Sequence, residues 1–297
     1  MNIIILITYY GEIMENIIQK IKSNRGKFTK QQTKIASYLV SNRDKAAFFS
    51  TTQLAAEIGV SQPTVVRFAQ SLGFSNYSLF MGAFQELIKQ ELTSTERLNL
   101  SLHAKKSVNA DNFEIISQEM DTLDLLTKSF PQHEFNELIR SICKSRRVFI
   151  VGTRGSAALD QFFCYFLSKV KRKVLSVTSG ASSSYDLMID LNKDDIVIGI
   201  AFPRYPRETS EIVGFCSAKG AKVVGITDKQ ESPLAKITDL ALIIPVTFST
   251  IFDSYSSALC LFNMIVTEVG RINHKESAII AKDFEELARA QKIFLPY

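Results

Sequence analysis

The stretch LAAEIGVSQPTVVRFAQSLGF, Leu54 to Phe74, decides how the N-terminal part of the chain reads. Leu54, Ala55 and Ile58 recur at helical spacing and predict a short helix buried along one face. Gly59 follows as a turn residue that tolerates positive φ. Val60 then fills the corner, and Ser61 stands where a cap for the next helix belongs. Pro63 falls in that helix's first turn, where its missing N–H goes unused. Val65, Phe68, Ala69 and Leu72 make the buried stripe, and Gly73 ends it. Ser61, Gln62, Thr64, Arg67 and Ser71 are left facing outward. Short polar and guanidinium groups at the start of a second helix are suited to base edges and phosphates of double-stranded DNA. The rival reading is a helical hairpin without a nucleic-acid role.

Charge favours the first reading. From Met14 to Gln90, ten Lys or Arg stand against four acids, a net +6, while residues 91–297 hold 25 of each sign. The chain's +5 is therefore an N-terminal property. A basic module joined to a neutral one is the footprint of phosphate-backbone binding, and Lys27 and Lys30 are the candidate backbone contacts. A solvated basic face would explain the lysines but not their coincidence with the helix pair.

The 297 residues suit two domains, and the 46% hydrophobic content suffices for a core in each. Cys143, Cys164, Cys216 and Cys260 make no CxxC or Cys/His spacing, so free thiols and no metal site are expected. The apolar start, Met1 to Tyr10, is too short to span a bilayer and lacks the features of a signal peptide, which predicts a cytoplasmic protein with no membrane partner. Met14 precedes the amphipathic run Ile17, Ile18, Ile21 and is a plausible start of the functional chain, leaving 1–13 as an extension of uncertain role.

The organisation predicted is a helix-turn-helix domain over 14–92, a linker over 93–111 and a second domain over 112–297. Ile35, Ala36, Leu39 and Val40 give a supporting helix ahead of the pair; Leu79, Phe80, Ala83, Phe84, Leu87 and Ile88 give one after it. Helical periodicity resumes over 112–126 and 132–143. Beyond that, apolar runs at 147–152, 173–178, 195–202, 222–228 and 240–246 alternate with helical ones near 156–169, 182–190, 207–218, 233–237 and 253–270. An all-α domain is thus followed by an α/β domain: a five-stranded parallel sheet with helices on both faces, in the flavodoxin-like order 2-1-3-4-5.

In that order the first and third strands flank the switch point, where ligands bind beyond the strand ends. Their exit loops are GTRGSAA (152–158) and PRYPRETS (203–210). Thr153, Arg154, Ser156, Arg204, Arg207 and Thr209 are therefore the candidate contacts for a small anionic effector: hydroxyls, guanidinium forks and helix N-termini all suit phosphate or carboxylate. The alternative pairs the loop arginines with Glu208 and Glu211 on a solvated surface. No full GxGxxG is present, so no nicotinamide cofactor, or any other, is expected. Proton abstraction would need a base from Glu208, Glu268 or His274; His103 falls in the linker and His133 on the helices before the sheet. No catalytic residue is assigned.

Both halves then resemble one family. The pattern GVSxxTVVRFxxxLGFxxYxxF, read together with VGTRGS, GAKVVGITD and SPLAKITD, is similar to the RpiR-type (MurR/RpiR) bacterial transcriptional regulators, in which a helix-turn-helix precedes a sugar isomerase (SIS) domain. The resemblance runs from about Met14 to Leu92 and from about Phe135 to Ala290. It implies a regulator, tilted toward repression, of carbohydrate-metabolism genes, working as a homodimer or homotetramer and sensing a phosphosugar-like, sugar-derived effector. It assigns Ser156 to the first-loop serine and Thr209 to the closing threonine of the second loop. FPRYPRET stands where the family carries a serine-rich motif, which points to a more acidic ligand or a different set of contacts. The expectation is a transcriptional regulator and not an enzyme. The alternative is a sugar-phosphate isomerase with a DNA-binding appendage, and a third reading is a scaffold with a vestigial pocket.

Overall fold

The computed structural model describes residues 17–46, 49–81, 83, 84, 112–246 and 252–295. The chain divides into two compact units, one of residues 1–110 with 250–252 and one of 111–249 with 253–297. Residues 1–13, the linker 93–111, and Leu87 and Ile88 lie outside the described residues.

The described elements of the first unit are helical: α1 Ile17–Ser23, a 3-10 turn Arg25–Lys27, α2 Lys30–Ser41, α3 Arg43–Ala46, α4 Thr51–Ile58, α5 Gln62–Ser71 and further helical residues at 77–81, 83 and 84. Two capping boxes set helix starts, Thr29 with Gln32 on α2 and Ser50 with Gln53 on α4. Each satisfies two N–H groups that the helix itself leaves unpaired. Gly59 and Gly73 take φ of 71° and 92° and end α4 and α5. There the chain folds back so that the Val60 N–H reaches Ala55 O at 2.9 Å and the Phe74 N–H reaches Ala69 O at 3.2 Å. Leu54, Val65, Phe68 and Ala69 are buried with Ile17, Ile35 and Leu39 in one core. The Phe68 ring lies 5.2 Å from Phe28 and 5.9 Å from Phe80.

The helical phase after α5 differs from the expectation. Leu79 is 45% exposed, and Tyr77 and Met81 take the buried positions beside Phe80, Ala83 and Phe84. The Tyr77 hydroxyl donates to Phe49 O at 2.9 Å, which fixes the rotation of this segment.

In the second unit α6 Asn112–Lys128 and α7 Gln132–Lys144 lead into β1 Val148–Val151, α8 Ser156–Leu167, β2 Val174–Val177, α9 Ser182–Leu187, β3 Ile196–Ile200, α10 Arg207–Ala218, β4 Lys222–Thr227, a 3-10 turn Ala235–Ile237 and β5 Leu240–Ile243. The sheet is parallel throughout, in the order β2-β1-β3-β4-β5. Alternation along the strands divides the core in two. Val148, Ile150, Ile196, Ile198, Val224 and Ile226 pack with α7, α8 and α11 (Ser256–Ile272), while Phe149, Val151, Val197 and Val223 pack with residues of α10 and of the segment after α9.

A helix the sequence reading did not separate, α12 His274–Ala290, closes the unit. It rests on the turn after α8: Ser277 Oγ donates to Val170 O at 2.9 Å, and Arg172 pairs with Asp283 at 2.8 Å. At the N-terminal edge of the sheet, the buried Asp195 accepts from both Arg146 (2.7 Å) and Arg147 (2.9 Å). Burial pushes its carboxyl up, but those guanidinium hydrogen bonds outweigh this and hold it well below the usual range.

Candidate nucleic-acid interface and ligand crevice

On α5 the structure leaves Ser61, Gln62, Arg67 and Ser71 exposed and Thr64 half-buried. Ser61 stands at the N-cap, but its hydroxyl pairs with the Thr64 hydroxyl at 2.8 Å and not with a backbone N–H. The Ser71 hydroxyl donates to Phe68 O at 2.7 Å, within its own helix. With Val65, Phe68 and Ala69 buried, the direction opposite them falls on Arg67 and on Gln70, also exposed. Gln70 was absent from the expected set; its place three residues after Arg67 was the available signal. Lys27 and Lys30 are exposed at the 3-10 turn and the start of α2.

In the second unit the exits of β1 and β3 meet at one place. Thr153 and Thr209 are fully buried. The Thr209 hydroxyl accepts the Thr153 N–H at 3.2 Å and lies 2.9 Å from the Thr153 hydroxyl. These two residues, expected to touch a ligand, are bonded to each other and join the start of α8 to the start of α10. Ser156 is 3% exposed in the first turn of α8, and among the described residues its hydroxyl makes no hydrogen bond. Arg154 and Arg204 both adopt left-handed backbone, φ 57° and 69°. Such non-glycine outliers cost of order 1–3 kcal/mol each and persist where the surrounding structure holds them. Arg207 does what the solvated-loop alternative held: 89% exposed, it pairs with Glu211 at 2.7 Å.

Gly152 is required by close approach, since a Cβ there would fall 2.6 Å from Ser156 O and 3.1 Å from the Asp160 Cβ. Asp160 is itself fully buried, accepts from Ser176 Oγ and accepts the Val177 N–H at 3.3 Å. Burial pushes its carboxyl up to about 7, the hydrogen bonds offsetting only part of the rise. The β2 exit also contributes, because the Glu208 side chain lies about 3.4 Å from where a Cβ at Gly180 would be. The β3 exit loop is tied to the end of β4 by the Tyr205 hydroxyl, which donates to Asp228 at 2.8 Å. Asp160 was absent from the expected crevice residues, and Glu208 was named in its loop as a candidate base and as a partner for the arginines, not as a ligand contact; an acid on the apolar stripe of Leu159, Phe163 and Leu167 was the legible signal for Asp160.

The three candidate bases do not converge. Helix α11 starts beside the crevice, with Tyr255 Oη 3.4 Å from the Cβ position of Gly155, and its far end meets Val170 through Gly270. Its 17 residues span about 25 Å. Glu268, paired with Arg271 at 2.8 Å, and His274 at the head of α12 therefore sit at the opposite end from Glu208. Among the described residues no cluster of His, Cys, Asp and Glu could hold a metal, and the four cysteines are free thiols. Among the described residues no helix is long and apolar enough to cross a membrane.

Residues 15–91 match the family model of the rpiR-family helix-turn-helix domain, and residues 141–268 match that of the SIS domain. The chain belongs to the RpiR-type transcriptional regulators. An HTH-type transcriptional regulator of Clostridium perfringens is 23% identical over 259 residues, 85% of this chain and 91% of that one. The fold of the regulator is similar to that of NanR from Vibrio vulnificus, solved in complex with ManNAc-6P: TM-score 0.56, 17% identity, 93% of this chain and 99% of that one. It is likewise similar to the sugar isomerase domain of an RpiR transcription factor from Sphaerobacter thermophilus, with TM-score 0.56, 20% identity, 58% of this chain and 97% of that one. The rpiR-family match places the chain with regulators and not with enzymes, and the isomerase alternative is set aside.

Proposed function

We propose that this regulator represses carbohydrate-metabolism genes by binding an operator through α5, and that a sugar phosphate in the crevice at the β1 and β3 exits relieves it. The observation that carries the effector half is the joint between Thr153 and Thr209, which holds two twelve-residue helices with their N-termini at one place. Aligned peptide dipoles make such a place attractive to a phosphate. The Ser156 hydroxyl and the Arg154 and Arg204 guanidinium groups are the contacts assigned to the anion, with the positive ends of the two helices behind them. Thr153 and Thr209 act as the joint, and Arg207 lies at the rim. Glu208 suits the hydroxyl groups of the sugar. NanR, of similar fold and solved with a phosphosugar, supports this choice of ligand class. Arg67, Gln70 and Gln62 are assigned to base edges; Lys27, Lys30 and the N-cap Ser61 are assigned to phosphates, with Thr64 and Ser71 at the margin.

One helix-turn-helix reads only a few base pairs, so the functional species is a cytoplasmic homodimer or homotetramer on a palindrome. The domain limits assigned are 14–92 and 112–297, joined by 93–111. The test is selection of a binding site from random duplexes by the full chain, followed by titration with and without hexose 6-phosphates, N-acetylmannosamine 6-phosphate and inorganic phosphate. A sugar phosphate is expected to weaken operator binding about 5- to 150-fold, the usual range of coupling between two sites. Ser156→Ala with Arg204→Ala should lose that response while ligand-free DNA binding stays within about threefold. A double variant that responds like wild type removes the crevice as the sensor.

A further inference from the structure

Three consecutive residues at the start of α11 touch both crevice loops and the helix by which the chain enters the second unit. Tyr255 packs its ring 5.4 Å from Phe202, at the end of β3, and its hydroxyl lies against Gly155 of the β1 exit. Ser254 and Ser256 on either side both donate to the same carboxylate oxygen of Glu119, halfway along α6. Those bonds are charge-assisted, and the carboxylate also faces the positive end of the 17-residue α11. Ser257 Oγ, one residue on, is anchored to Pro245 O, so the segment has little room to drift except as a unit.

We propose that residues 254–256 transmit the state of the crevice to α6: Tyr255 senses the two loops, and its serine neighbours hold or release Glu119. This rests on the crevice reading above and assigns it a route. An anion seated at the first turn of α8 displaces Gly155, and Tyr255 lies against it. Because the three residues are covalently contiguous, a shift of the ring by about 1 Å changes the geometry of both serine donors, and hydrogen bonds weaken steeply with misalignment. The made clasp is the arrangement in this structure, and its release is the second state that the proposal assigns, biased from both ends. Nothing at Tyr255 contacts the ligand directly; it is a positioning residue. The bland account, in which Glu119 only caps α11, predicts a stability loss without any change in coupling.

The experiment uses the full chain, wild type and Ser254→Ala/Ser256→Ala, with the sugar-phosphate panel and inorganic phosphate as probes. Hydrogen–deuterium exchange is followed in peptides over 150–158 and 112–128, calorimetry gives probe affinity, and operator titration gives the response. In wild type, a probe that protects 150–158 should also alter exchange in 112–128. In the variant the 150–158 change should persist, with probe affinity within about threefold of wild type. The 112–128 change should vanish, and the ratio of operator affinities with and without probe should fall within about twofold of unity. Tyr255→Phe, which keeps the ring against Phe202 but removes the hydroxyl, should give a partial loss. If the double variant does not fold, Glu119→Gln, equal in shape and lacking the charge, carries the same expectation. The proposal is overturned if 112–128 still responds in the variant, or if it stays silent in a wild type whose 150–158 peptides respond. Silence of 150–158 toward every probe removes the crevice reading itself, and the relay with it.

Discussion

Replacing Thr209 with valine isolates the joint between the two crevice loops. Valine preserves the branched shape, so packing at this fully buried site changes little, but the Thr153 N–H and hydroxyl lose their shared partner. A buried donor left without an acceptor costs about 1–3 kcal/mol, and the second lost bond adds about 1. The expected destabilisation is therefore about 2–4 kcal/mol, a fall of roughly 4–16 °C in the melting temperature of a unit this size. Thr209→Ser supplies the contrast: it keeps the hydroxyl and removes one buried methyl, for about 1 kcal/mol. Calorimetric unfolding of the full chain, with the second unit's transition followed separately, measures the difference. Exchange of the Thr153 amide should rise in the valine variant and not in the serine one. Equal melting temperatures for the two variants, or a Thr153 amide as protected in valine as in wild type, would refute the joint.

Three further outcomes follow from the same contacts. Asp195→Asn should cost about 2–4 kcal/mol, because one of its two arginine partners is part-exposed and the loss is smaller than for a wholly buried pair. Since the Asp195 carboxyl is held below its unfolded value, its contribution is present above about pH 4 and fades as the pH falls through the folded value; urea unfolding against pH should show that acid limb flattened in the variant. Asp160 has the opposite sign: its carboxyl, pushed up to about 7, stays protonated in the fold after the unfolded chain has ionised. Linkage then predicts a loss of about 2 kcal/mol between pH 5.5 and 8, which Asp160→Asn should abolish in the same measurement. Arg67→Ala should cost about 1–3 kcal/mol on the selected site and relax specificity there, while Lys30→Ala should weaken all sequences alike and reduce the salt slope by about one, both read by fluorescence titration.

The local pattern determined the elements. Periodicity of 3.6 over Leu54 to Leu72, glycines at the two helix ends and Val/Ile runs spaced by helices depend on neighbours within a turn or a strand, so they survive in the bare sequence. The alternation of strands and helices pointed to a parallel sheet; the order 2-1-3-4-5 is one of the common orders for such sheets, and the structure has it. Where pattern was weak it misled: Leu79 looked like a core residue until Tyr77 anchored on Phe49 set the rotation, and α12 escaped notice because Ile279 and Leu287 remain exposed. The site was legible only as loops. That Thr153 and Thr209 bond each other, that Arg207 turns to Glu211, that Asp160 lies under Gly152 and that Tyr255 reaches Gly155 are decided by side chains meeting across the fold, several of them from segments far apart in sequence. No one-dimensional spacing encodes those meetings; strand register and helix rotation, set by the packed core, decide them.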